Sequence, residues 1–273
     1  IDTPAERRRT RRRLGVRTGN AALTVGAPLV LFVVLAVLWQ WTAATFTSVL
    51  PPLQDIAADI AERPEFYVEN LMVTIRSAMT GLLIGVVVAL LLAATVVHFT
   101  FLRSAIMPVA LLLNVTPIVA IAPALVVAFG FSDVPRIIIA AISAFFPMLI
   151  NAITGLRSVD PQALEVFNAM AASRREIFFR LRIPSSLPYL FAGLRGGLSL
   201  AWMFLVAAEL IAATKGVGYL LSDGRESSRP DLVLCAILIL AVLGKVSDSL
   251  LRTVEQKSLG WRDARRRSHG KTA

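Results

Sequence analysis

Long apolar runs separated by short polar breaks dominate the chain, and six of them reach the ~20 residues that a membrane-crossing helix needs. They lie at roughly 21–45, 71–98, 106–129, 136–156, 187–213 and 232–251. The pattern predicts an all-α, polytopic transmembrane bundle. Around the spans it leaves a basic arm at 1–20, an interfacial segment at 46–70, a core at 71–256 and a basic tail at 257–273. One break differs from the rest, because residues 157–188 carry charges and a helical periodicity of their own.

Within that break, Asp160 before Pro161 is a helix start: its carboxylate can accept orphan backbone N–H groups while proline takes the first helical position. Leu164, Phe167 and Ala171 then share a face. Ser173-Arg174-Arg175-Glu176 has the capping-box pattern and predicts a second start. Ile177, Phe178 and Leu181 form the apolar side of that second helix, which Pro184 and Pro188 are expected to break. A pair of short helices joined near Ala172 and Ser173 suits docking to a partner, and a solvated loop resting on lipid headgroups is the alternative.

Charge then fixes the expected orientation. With the N-terminus inside, only Arg63, Arg136, Lys215, Arg225 and Arg229 of the 28 Lys and Arg residues fall outside, and Arg76 and Lys245 fall within spans. The positive-inside rule therefore places both termini and the 157–188 segment in the cytoplasm. The first apolar run is longer than that of a signal peptide, so an uncleaved first span is expected. Leu53, Ile56, Ala57 and Ile60 predict an amphipathic helix along the outer membrane surface.

Composition excludes several classes. The chain is 56% hydrophobic and 17% charged, which is too apolar for a soluble domain. Its net charge of +10 follows from membrane topology, so nucleic acid is not an expected partner, whereas anionic lipid is. A single cysteine, Cys235, provides no disulfide framework, and His98 and His269 stand too far apart to suggest a metal site. Gly270-Lys271-Thr272 has Arg265 where a phosphate-binding loop needs its first glycine, so the chain is not expected to bind ATP itself.

Polar residues inside spans are expensive and mark candidate pathway positions. Glu209 reads either as a gate or polar lining near the outer mouth or as a structural hydrogen bond to a neighbouring helix or to the loop at 214–230. Asn114, Thr116 and Asn151 can hydrogen-bond a solute without a full charge, and Phe145, Phe146 and Trp202 can fill or close a path. Interhelical packing is the competing reading for each. Pro108, Pro117, Pro123 and Pro147 predict bends. Gly81 and Gly85 predict a close helix contact, and Lys245 with Asp248 a neutralising pair.

Glu165, Ala169, Ala171, Leu181, Ile183 and Pro184 resemble the cytoplasmic EAA motif of bacterial ABC importer permeases. The spacing fits without a gap. Val166 and Phe167 stand where the motif has two alanines, and Ala171 stands where it has glycine. Thr116-Pro117, Phe145-Phe146-Pro147, Gly155-Leu156-Arg157, Gly193-Leu194-Arg195, Ala208-Glu209-Leu210 and Gly216-Val217-Gly218-Tyr219 extend the likeness to permeases of the nitrate, sulfonate and taurine importers.

That resemblance implies a type I importer permease of the bacterial inner membrane. Two such subunits, expected to be identical, form the pathway, and two ATP-binding cassette subunits hold ATP and Mg²⁺. An extracytoplasmic binding protein delivers the substrate, implied to be a small organic or inorganic anion. It also implies that Glu165, Phe167, Ala169, Ala171, Ser173, Arg174, Arg175, Ile183 and Pro184 form the ATPase-coupling surface. A self-sufficient secondary transporter or channel is the rival reading, and it would need inverted repeats or several buried titratable groups. A membrane-anchored enzyme would need a nucleophile, metal cluster or acid–base pair.

Overall fold

The computed structural model describes Gly26, Val30, Leu31, residues 33–45 and residues 50–269. Of Thr100, Leu113, Asn114 and residues 260–269 it describes the backbone. The basic arm at 1–20, the end of the tail at 270–273 and the Asn114 side chain therefore lie outside the described residues. Every regular element among those described is a helix.

The chain divides after Glu62 into two units. In the first, α1 (Val33–Thr45) is apolar and is followed by α2 (Leu53–Glu62). The Trp39 indole N–H donates to the Pro51 carbonyl at 3.1 Å, and the Gln40 amide oxygen accepts from the Leu53 N–H at 3.4 Å. The predicted amphipathic helix is present, with Ile56 buried, Leu53 and Ile60 half-buried and Ala57 exposed.

The second unit contains α3 (Pro64–His98), α4 (Thr100–Val115), α5 (Ile118–Phe129), α6 (Val134–Arg157), α7 (Pro161–Ala169), α8 (Arg174–Glu176), a π-helical segment (Ile177–Arg182), α9 (Ile183–Ala212), α10 (Val217–Glu226) and α11 (Pro230–His269). Among the described residues, four helical runs are long and apolar enough to cross a membrane: Pro64–His98, Val134–Arg157, Arg174–Ala212 and Pro230–Leu259.

The α6 helix is gripped on two sides. A Cβ on Gly81 of α3 would sit 2.5 Å from Ala140 Cβ, and one on Gly85 would sit 2.4 Å from the Ala141 carbonyl oxygen. The predicted glycine contact is thus a backbone-to-backbone approach that no larger residue fits. On the other side, a Cβ on Gly193 of α9 would lie 2.8 Å from Asn151 Cβ. Ala89, Ala93, Met148, Leu149, Ala152 and Leu156 fill the core between α3 and α6.

Several expectations need correction. The helix of the second span begins at Pro64, well inside the expected 46–70 interfacial segment, because Pro64 occupies its first turn. Its 35 residues extend about 52 Å, more than a bilayer core requires. The expected third span at 106–129 is two helices, separated where Thr116 is extended (ψ 129°) ahead of Pro117. A residue before proline is disfavoured from the α region, so this proline ends a helix. Pro108, Pro123 and Pro147 instead lie inside helices, as does Pro188. The last helix continues to His269, through much of the expected tail. Asp248 pairs with Arg195 of α9 at 3.5 Å and with Arg252 at 2.8 Å rather than with Lys245, because α9 brings a guanidinium within reach. Arg195 also pairs with Glu255.

Candidate functional site

The segment after α6 folds from local signals. The Asp160 carboxylate accepts from the Gln162 N–H at 3.0 Å, capping α7 with Pro161 at its first position. Both halves of the predicted capping box form at α8: the Ser173 hydroxyl accepts from the Glu176 N–H at 3.3 Å, and the Glu176 carboxylate accepts from the Ser173 N–H at 2.9 Å.

Between these two starts the chain reverses through a left-handed residue. Ala171 has φ +52°, the Ala172 N–H donates to the Phe167 carbonyl at 3.0 Å, and the Ala171 N–H donates to the Asn168 carbonyl at 3.0 Å. These are the paired bonds of a Schellman ending, in which the left-handed position normally falls to glycine. Alanine is strained there by about 1 kcal/mol. The motif glycine that Ala171 replaces is therefore a backbone requirement of the turn, not only a matter of small size.

The expected break at Pro184 and Pro188 does not occur. From Arg174 to Ala212 the helical run is continuous. Pro184 has no N–H to donate, and the turn before it widens into the π-helical segment, in which the Ile183 N–H bonds to Phe178 O, five residues back. Phe178 and Ile183 pack against the core cluster of α3 and α6, so the segment is rooted in the helix bundle.

The two faces of α7 differ. Leu164 and Phe167 are half-buried, whereas Glu165, Val166, Ala169 and Met170 are exposed. Ser173, Arg174 and Arg175 are exposed, and Ile183 and Pro184 are half-buried. Val166, Met170 and Phe179 are each exposed, in a segment that also carries exposed charges.

At the other end of α9 lies a second polar site. Glu209 is fully buried, as is Thr74 of α3. The Thr74 hydroxyl lies 2.9 and 3.0 Å from the two carboxylate oxygens and itself accepts from the Val217 N–H at 2.8 Å. The carboxylate also accepts from the Gly218 N–H at 2.9 Å, and Arg136 lies 3.9 Å away. Asn70 accepts from the Gly216 N–H at 2.8 Å, and Arg136 donates to the Lys215 carbonyl at 2.7 Å. Three helices thus hold the backbone of one loop.

Glycine is obligatory in that loop. A Cβ on Gly218 would lie 2.5 Å from both Glu209 Cβ and the Val206 carbonyl oxygen. Gly216 has φ +121° and its Cβ would overlap the Glu209 carboxylate at 2.5 Å. Sequence reading identified Glu209 but missed Asn70, Thr74 and the role of Arg136; a polar Asn70-x-x-x-Thr74 pair at helical spacing was the available signal.

The other proposed pathway residues are held separately. Asn151 donates to the Pro147 carbonyl at 2.8 Å and faces Gly193 in the α6–α9 contact. Thr116 is exposed and its hydroxyl donates to the Leu112 carbonyl at 2.7 Å. Phe145 and Phe146 pack on the α3–α6 core. Trp202 packs against the cluster of Leu82, Ala140, Ala144, Leu198 and Ala201, and its buried indole N–H has no hydrogen-bond partner among the described residues.

Residues 81–259 match the family model described as a binding-protein-dependent transport system inner membrane component. The chain belongs to this family of transport permeases. An aliphatic sulfonates transport permease protein, SsuC of Bacillus subtilis, is 33% identical over 71% of each chain. The taurine transport permease TauC of Escherichia coli is 29% identical over 84% of this permease and 86% of its own length. The formylaminopyrimidine transport permease ThiX of Halalkalibacterium halodurans is 29% identical over 86% of this chain and 95% of its own. The permease is a multi-pass membrane protein of the sulfonate and taurine importer group, a family of transport components rather than of enzymes.

Proposed function

We propose that this permease forms, as a homodimer, the translocation pathway of an ATP-driven importer in a bacterial inner membrane, with both termini and α7 in the cytoplasm. Two separate ATP-binding subunits carry ATP and Mg²⁺, and an external binding protein delivers the substrate. The observation that carries this reading is the exposed face of α7 joined, through one turn and a continuous helical run from Arg174 to Ala212, to a membrane-spanning helix. Movement imposed on α7 by closing ATPase subunits then reaches the bundle without an intervening flexible linker. Glu165, Phe167, Ala169, Ala171, Ser173, Arg174 and Arg175 form the contact, and Ile183 and Pro184 root it.

A small anion of the sulfonate, taurine or nitrate kind is the proposed substrate. The names of the sulfonate and taurine relatives support it. Glu209 is consistent with it, because its carboxylate is buried and bonded and so turns no open charge toward a passing anion. We assign Glu209 to anchoring the outer loop rather than to gating. Asn114, Thr116, Phe145, Asn151 and Trp202 remain the proposed lining, and Trp202 contributes an indole N–H with no partner of its own.

Copurification is the direct test of the class. The full chain should be recovered with the ATP-binding subunit encoded beside it, and ligand binding by the neighbouring binding protein should identify an anion. Recovery of a fully active transporter from the permease alone would favour a secondary transporter instead.

A further inference from the structure

A cavity of about 300 Å³ opens between the end of α3, α7 and the α8 and π-helical run. Among the described residues its lining includes Arg174, Arg182, His98 and Asn168, with Val97 and Leu164, and contains no carboxylate. Arg182 is half-buried and makes one long hydrogen bond, 3.5 Å to the Leu156 carbonyl, so most of its guanidinium donors are unspent. The His98 ring is fixed by its Nδ1, 2.8 Å from the Ala94 carbonyl oxygen, and by a tilted contact with Phe178 at 5.1 Å between centroids. Two guanidinium groups in a concave site with no compensating acid form a receptor for an oxyanion, since arginine matches phosphate geometry in a fork.

The location identifies the source of that oxyanion. Val97 and His98 end the apolar α3 helix, and Phe99 and Phe101, 60% and 76% exposed, follow at once. Exposed apolar rings directly after the end of an apolar span keep this end of α3 against lipid, and cationic pockets on the cytoplasmic side receive anionic headgroups. We propose that this cavity binds the phosphodiester headgroup of an anionic phospholipid from the cytoplasmic leaflet, held by half-buried Arg182 and by Arg174, which is exposed where the cavity borders the proposed ATPase contact. The assignment to that leaflet rests on the orientation proposed above. A lipid held there touches both the membrane end of α3 and the inner side of α7, so it braces the docking segment against the bilayer.

The test uses the full chain in mild detergent, with lipid binding read by native mass spectrometry, which requires neither an ATPase nor transport. A failure of the ATPase-coupling reading would therefore leave this readout untouched. The wild type should bind phosphatidylglycerol about tenfold tighter than phosphatidylcholine of the same acyl chains. The double variant Arg174→Gln/Arg182→Gln should lose that preference, whereas Arg180→Gln, which removes a charge outside the cavity, should keep it. Asn168→Trp, which fills the mouth from an exposed position and leaves every charge in place, should also abolish it and guards against misfolding of the double variant. Unchanged phosphatidylglycerol binding in both cavity variants would overturn the site. Displacement of the lipid by equimolar inorganic phosphate would overturn the lipid assignment in favour of a soluble anion.

Discussion

The two ends of α9 solve opposite problems. Its C-terminal end is locked: Glu209, Thr74 and Asn70 are buried and spend their polar groups on the backbone of Gly216, Val217 and Gly218. At the N-terminal end, the run leading into α9 is rooted in the bundle by Phe178 and Ile183, while the segment before it is capped by its own residues and leaves Glu165, Val166 and Met170 exposed. The locked end depends on contacts between distant parts of the chain. The caps and turn of the exposed segment depend on neighbours within a few residues. A helix fixed at one end and presented at the other is suited to passing a push from a partner into the membrane.

The difference can be broken most severely at the locked end. Glu209→Ala would leave the Gly218 N–H without its buried acceptor and take from Thr74 and Arg136 the buried carboxylate beside them, and should cost about 3–5 kcal/mol. Thermal melting of the detergent-solubilised chain checks it, and a melt unchanged from wild type would refute the anchoring role. Gly218→Ala should follow at roughly 3 kcal/mol, because the added carbon meets the Val206 carbonyl oxygen at 2.5 Å and backbone must shift. Poor recovery of monodisperse protein is the expected result.

At the projecting end the same measurements should show small changes. Ser173→Ala removes the cap on α8 and should cost about 1 kcal/mol, with the loss confined to hydrogen-exchange protection around residues 173–177. Ala171→Gly should stabilise the turn by up to about 1 kcal/mol, since glycine enters the left-handed region without strain. A destabilising effect there would mean that the Ala171 methyl group makes a contact worth more than its strain.

The same division explains what could be read in advance. The Asp160 cap, the Ser173–Glu176 box and the Gly81/Gly85 contact are written in spacings of two to four residues, and each is present as expected. The bond of Glu209 to Gly218 falls within the loop named from the sequence, whereas its partner Thr74 is 135 residues away and only the fold brings the two together. Asp248 was likewise assigned to its neighbour Lys245, although Arg195 of another helix reaches it. Prolines were the other source of error. Pro117 ends a helix and Pro188 does not, and Pro184 is absorbed by a widened turn. Their residue type is the same, and packing of the surrounding helix decides which outcome holds.

The central claim, that the exposed face of α7 couples this permease to ATP hydrolysis, is tested most directly by Glu165→Arg in the complex with its ATP-binding subunits. Substrate-stimulated ATP hydrolysis and transport should fall about tenfold or more, the loss expected for reversing a charge paired at an interface. Membrane insertion and melting should match wild type, because Glu165 is exposed. Transport and stimulated hydrolysis at wild-type rates in that variant would contradict the account.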